Sequence, residues 1–247
     1  MSDDTRSRAI ALRAGQTSFE DVHWRDQGEQ AGTPTGAHSV GAQRVLRNTY
    51  ALLGLTLAFS AGVAGLSMSM GWPAPGLLIS LAGMFGLMFL VHKTANSGWG
   101  LLSVFAFTGF LGYSLGPTLN AVLALPHGAA VITNALGATA VAFLGLSAVA
   151  LTSKRDFSFL GKGLMVGMLV AFALGLGAVF FEIPALSLAV SAMVVLLMCG
   201  MILFETQRIV NGGETNYILA TVGLFVTVYN LFSSLLMLFG IGGGNEE

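Results

Sequence analysis

Charge is scarce in this chain. Of its 247 residues only 9% are Asp, Glu, Lys or Arg, against 54% hydrophobic, and the mean hydropathy is +0.77. Soluble globular domains carry charge on roughly a quarter of their residues, so this composition excludes one and indicates an integral membrane protein. Cysteine occurs once, at Cys199 within an apolar run. A single thiol excludes an internal disulfide and any cysteine-ligated metal site. No aspartate lies inside an apolar run, and the patterns H-E-x-x-H, G-x-S-x-G and the P-loop are missing. The metal, serine and paired-aspartate routes to hydrolysis therefore have no residues to use. His92 and His127 flank apolar runs without an evident partner and read as interfacial residues. The expectation is a chain with no catalytic residue, cofactor, metal or nucleic-acid ligand.

What is abundant is Phe, Leu, Val, Ala and Gly in long unbroken runs, 33 residues being Gly. Membrane barrels read as short alternating segments, so these runs are spanning helices. Breaks at Gly71-Trp72-Pro73, His92-Lys93, Pro126-His127-Gly128, Lys154-Arg155-Asp156 and Glu182-Ile183-Pro184, with the polar loop from Glu205 to Asn216, divide them into seven spans. Their predicted limits are about 49–70, 76–91, 99–117, 129–152, 159–180, 185–204 and 217–240, with a short tail at 241–247. Residues 1–48 hold six basic and six acidic residues among Gly, Ser, Thr and Gln, and read as a flexible cytoplasmic tail. The tail has no apolar core of the kind a cleaved secretory signal requires.

Orientation follows from the remaining basic residues. Lys93, Lys154, Arg155, Lys162 and Arg208 all lie in or beside even-to-odd connections, and the odd-to-even turns carry none. The positive-inside rule then sets the N-terminus in the cytoplasm and the end of the seventh span on the far side.

The seventh span carries a polar stripe. Reading every third or fourth residue gives Asn216, Ala220, Gly223, Thr227, Asn230 and Ser234, a face of small or hydrogen-bonding side chains. Such a face belongs against protein rather than lipid, where unpaired amides and hydroxyls are costly. Asn230 in particular has more groups to satisfy than its own helix readily supplies. Gly163, Gly167, Ala171 and Gly175 in the fifth span, and Thr108, Gly112 and Gly116 in the third, read as close-packing ridges. Glu205 closes the sixth span, with Arg208 one turn beyond. The two can form an interfacial ion pair that caps the loop, or Glu205 can gate passage between the sixth and seventh helices.

The stretch ILFETQRIVNGGETNYI at 202–218, followed by Ala220-Thr221 and YNLF at 229–232, resembles the C-terminal signature of the Bax inhibitor-1 family. VLRNTY at 45–50, LTLAFSA at 55–61, KTAN at 93–96, FAFTGFLGY at 105–113 and SFLG at 158–161 bring the likeness to its bacterial YccA-like branch. The resemblance spans about 42–241 and implies an all-α, seven-transmembrane-helix bundle with a central C-terminal helix. It also implies two activities. One is restraint of the membrane-anchored, ATP-dependent FtsH protease, with the HflK-HflC assembly as associate, in membrane quality control and stress protection. Residues Met1 to Arg47 would then be the tail the protease engages. The other is a calcium or proton leak gated by two carboxylates. Glu205 matches the first of these, whereas the second falls at Thr227, a hydroxyl that cannot share a proton as a carboxylate does. Arg208 and Asn230 complete the residues expected to gate or to pack. The protease-modulator reading is therefore preferred, with the inner membrane as location.

Overall fold

The seven apolar runs form seven α-helices among the described residues, 35–153 and 157–242 of a computed structural model. They are α1 (Thr35–Ser69), α2 (Leu77–Thr94), α3 (Gly100–Leu123), α4 (Gly128–Thr152), α5 (Leu160–Phe180), α6 (Pro184–Val210) and α7 (Tyr217–Gly242). Each is long and apolar enough to cross a bilayer, and no strand occurs among the described residues. Large apolar side chains such as Leu78, Val141 and Leu196 point outward. Hydrocarbon is the solvent that accepts them.

Three helices extend past their predicted limits, in each case because tertiary partners reward the extra turns. Helix α1 begins at Thr35 instead of about 49, and Val45 and Leu46 pack on the core, so Arg44 and Arg47 lie on a helix rather than in a tail. The rest of the expected tail, residues 1–34, lies outside the described residues. Helix α3 runs through Pro117 to Leu123 and buries Leu119 and Val122 beyond the proline. Neighbouring helices in a membrane can make good what proline removes. Helix α6 continues past Phe204 to Val210, with Thr206, Gln207 and Ile209 buried.

Helix α7 is the centre. Half of its spanning window is buried, against 6% for α2 and 17% for α5. It packs against α3, α4 and α6, while α5 lies on α6 and α2 on α3. Phe107 of α3 and Phe225 of α7, both essentially inaccessible, meet edge to face with ring centroids 6.4 Å apart. Helix α1 joins the core through polar contacts: Thr221 of α7 donates to the Thr49 carbonyl, Ser67 donates to the Tyr113 carbonyl, and Asn120 donates to the Met68 carbonyl. Gly112 and Gly116 allow this approach, since a Cβ at Gly112 would overlap the Ser60 carbonyl oxygen. The ridge on α3 is thus a packing surface. On α5 the pattern is mixed, with Gly167 under Leu197 but open space over Gly163.

Candidate functional site

Residues 205–216 build the site. Helix α6 ends because Gly212 takes a left-handed turn, φ 73°, that only glycine adopts without strain. Gly213 N–H then donates to the Arg208 carbonyl and Gly212 N–H to the Ile209 carbonyl, the paired closure that satisfies a helix C-terminus. The reversal carries Glu214 back over the last turn, where its Oε2 lies 3.0 Å from Arg208 Nη2. The expected Glu205–Arg208 pair is therefore replaced by Arg208–Glu214, six residues apart. Helical spacing favours the nearer partner, but the turn supplies a better-placed one.

Two residues later Asn216 caps α7. Its Oδ1 accepts from the N–H groups of Ile218 at 2.9 Å and Leu219 at 3.4 Å, while its Nδ2 donates to the Ala95 carbonyl and to Asn96 Oδ1. One amide thus starts the central helix and ties it to the α2–α3 connection. Sequence reasoning placed Asn216 on the stripe without recognising this cap. The signal was present, because Asn directly before an apolar run is a helix-start residue.

Glu205 turns inward. Its Oε2 accepts from Thr227 Oγ1 at 3.0 Å, so the two positions matched to the family's carboxylates do face each other across α6 and α7. Gly223 leaves room beside this contact: an added Cβ there would stand 2.8 Å from Glu205 Oε1 and require that carboxyl to shift. A cavity of about 350 Å³ opens here, lined by Glu205, Arg208, Glu214 and His92 together with apolar side chains including Met88, Leu219 and Val222. It is a carboxylate-bearing recess at the end of the bundle where α6 stops and α7 starts.

Asn230 does not join this group. Its Nδ2 donates to the Val226 carbonyl of its own helix at 2.8 Å, which corrects the expectation that it bonds elsewhere. Two further residues matter that the sequence did not single out. Thr206 Oγ1 meets Tyr50 Oη at 3.2 Å, joining α6 to α1, and Gln207 Oε1 accepts from Phe157 N–H just ahead of α5. His92 bonds its own Met88 carbonyl. Among the described residues no three His, Cys, Asp or Glu side chains converge as metal ligands would.

Comparison with known proteins agrees with this architecture. The sequence profile of the family described as Inhibitor of apoptosis-promoting Bax1 matches residues 42–244. The chain is 52% identical over 202 residues to an uncharacterized protein of Pseudomonas aeruginosa, covering 82% of this chain and 91% of that protein. It is 53% identical over 201 residues to the Modulator of FtsH protease YccA of Escherichia coli K12, covering 81% of this chain and 91% of that one. The Inner membrane protein YccA of Escherichia coli O6:H1 matches to the same extent. A profile match that runs from the start of the α1 bundle segment through α7, together with relatives identical at half their positions, makes this chain a member of the Bax inhibitor-1 family.

Proposed function

We propose that the chain is an inner-membrane modulator of the FtsH protease, acting by binding in membrane-protein quality control and stress protection. The observation that carries this reading is its 53% identity, over nine-tenths of that protein's length, to the relative named for the same role. HflK-HflC is the further partner in this proposal. Of the segment Met1 to Arg47 expected to engage the protease, the part ahead of α1 is the proposed handle; the chain restrains the protease and is itself slowly consumed. The geometry weakens the calcium or proton leak, because Glu205 faces the hydroxyl of Thr227 where a coupled switch needs a second carboxylate.

The test uses the tagged full-length protein in its own membrane. FtsH should co-purify in mild detergent, and the same preparation in proteoliposomes should give calcium flux near background and flat with pH. Absence of FtsH together with a pH-gated flux abolished by Glu205→Gln would reverse the ranking.

The orientation in this proposal is N-terminus cytoplasmic, motivated by the one-sided placement of Lys93, Lys162 and Arg208. Single cysteines introduced at Thr94, Gly213, Pro75 and His127 in a Cys199→Ser background check it. An impermeant thiol reagent should label the last two in intact spheroplasts and spare the first two. Labelling at Gly213→Cys from outside would overturn the assignment.

A further inference from the structure

A second cavity lies at mid-membrane depth, away from Glu205. It holds about 420 Å³ between α1, α3, α4 and α7, and its walls include Ala61 of α1, Ala140 and Leu144 of α4, and Phe225, Val228 and Phe232 of α7. The lining is almost wholly apolar. Of its few hydroxyls, that of Thr139 is already given to the Ala135 carbonyl of its own helix. Ordered water needs two to four polar partners, so this space does not suit water. Left empty, the aromatic and aliphatic walls would lack packing partners on one side. The cavity is open to the bilayer: Leu136 and Leu144 are 54% and 64% exposed, and Ala61 and Ala140 are exposed as well. Its inner wall is different in kind, since Phe225 at 1%, Phe232 at 7% and Val228 at 8% are buried faces of the central helix.

We infer that this cavity is a binding site for one acyl chain of a membrane phospholipid, which enters laterally between α1 and α4 and packs against α7. The occupant is assigned by continuity. The opening lies within the spanning segments, hydrocarbon chains are what the exposed leucines beside it already face, and a flexible unbranched chain can thread an opening edged by two alanines. Occupancy bears on the same helix whose Thr227 meets Glu205.

The full-length protein in nanodiscs containing a phospholipid with a mid-chain diazirine tests this. After irradiation, adducts mapped by mass spectrometry should fall on Ala140 and Leu144 and, diagnostically, on Val228 or Phe232, which bulk lipid cannot reach. Ala140→Trp should reduce the α7 adducts several-fold and leave labelling of the lipid-facing α2 and α5 unchanged. Ala61→Phe, approached from the other wall, should do the same and serves if the first variant does not fold. Adducts restricted to outward faces, α7 labelling that persists in the filled variants, or a co-purifying polypeptide cross-linked at these positions in place of lipid would each overturn the assignment.

Discussion

Asn216→Ala is expected to destabilise the bundle by about 2–3 kcal/mol. Loss of an N-cap side chain costs about 1 kcal/mol, and the two donated bonds to Ala95 and Asn96 contribute on the order of 1 kcal/mol each. The position concentrates that cost because the helix it caps is the most buried of the seven. Asn216→Asp separates the two roles. Aspartate keeps an acceptor for Ile218 and Leu219, and its charge suits a helix N-terminus, but it can donate nothing to Ala95 or Asn96. Thermal unfolding in detergent should therefore rank the parent first, Asn216→Asp second and Asn216→Ala last. A midpoint for Asn216→Ala equal to the parent's would show that the α2–α3 connection is held by other contacts.

Thr227→Asp should produce the second large effect, a stability that falls as pH rises. The substitution sets a second carboxyl against Glu205 where 3.0 Å now separates hydroxyl from carboxylate. Two carboxyls that close share one proton readily but resist losing it, the repulsion between unit charges being about 4 kcal/mol at 4 Å and an effective dielectric constant of 20. In the variant the folded state must hold together two carboxyls that the unfolded chain keeps apart, so the penalty grows as both become charged. The penalty is thus smallest at low pH and grows as pH climbs. His92, Arg208 and Glu214 line the same cavity. Thr227→Asn, uncharged and of similar size, should add no such slope. The variant should also acquire pH-dependent calcium flux in proteoliposomes. Identical pH profiles for Thr227→Asp and the parent would mean that the two side chains do not meet in the membrane.

Much of this fold was readable because hydrocarbon demands continuous apolar runs, and seven of them survive any reasonable division of the sequence. The stripe from Asn216 to Ser234 did not single out the covered face: Val222, Leu224, Phe225, Leu231 and Leu236 lie off it and are fully buried, while Gly223, Asn230 and Ser234 on it are only half-buried, because the central helix is covered nearly all round. What could not be read was anything decided by a turn or by burial. Arg208 pairs with Glu214 because a glycine closure folds the chain back, and no periodicity announces that. Pro117 and Phe204 looked like helix ends because proline and charge usually end spans, yet Leu119, Val122 and Ile209 are buried beyond them and carry the helices onward. Asn230 has only its own helix as partner, a choice made by local rotamers rather than by sequence pattern. The Glu205–Thr227 contact was legible only through family resemblance, since 22 residues separate the pair.

The burial of α7 has a consequence for how the protein is made. Helices α1 to α6 emerge from the ribosome first, yet the faces they will use are completed by the segment synthesised after them. Until it arrives Phe107 lacks Phe225, Glu205 lacks Thr227 and the Thr49 carbonyl lacks Thr221. A domain ordinarily folds as a unit, so its early-made parts wait for the rest. In this bundle the part waited for is the central helix itself, so a chain made only as far as α6 has an open centre. A translation stall before Tyr217 would leave that state standing in the membrane, with polar groups turned toward lipid.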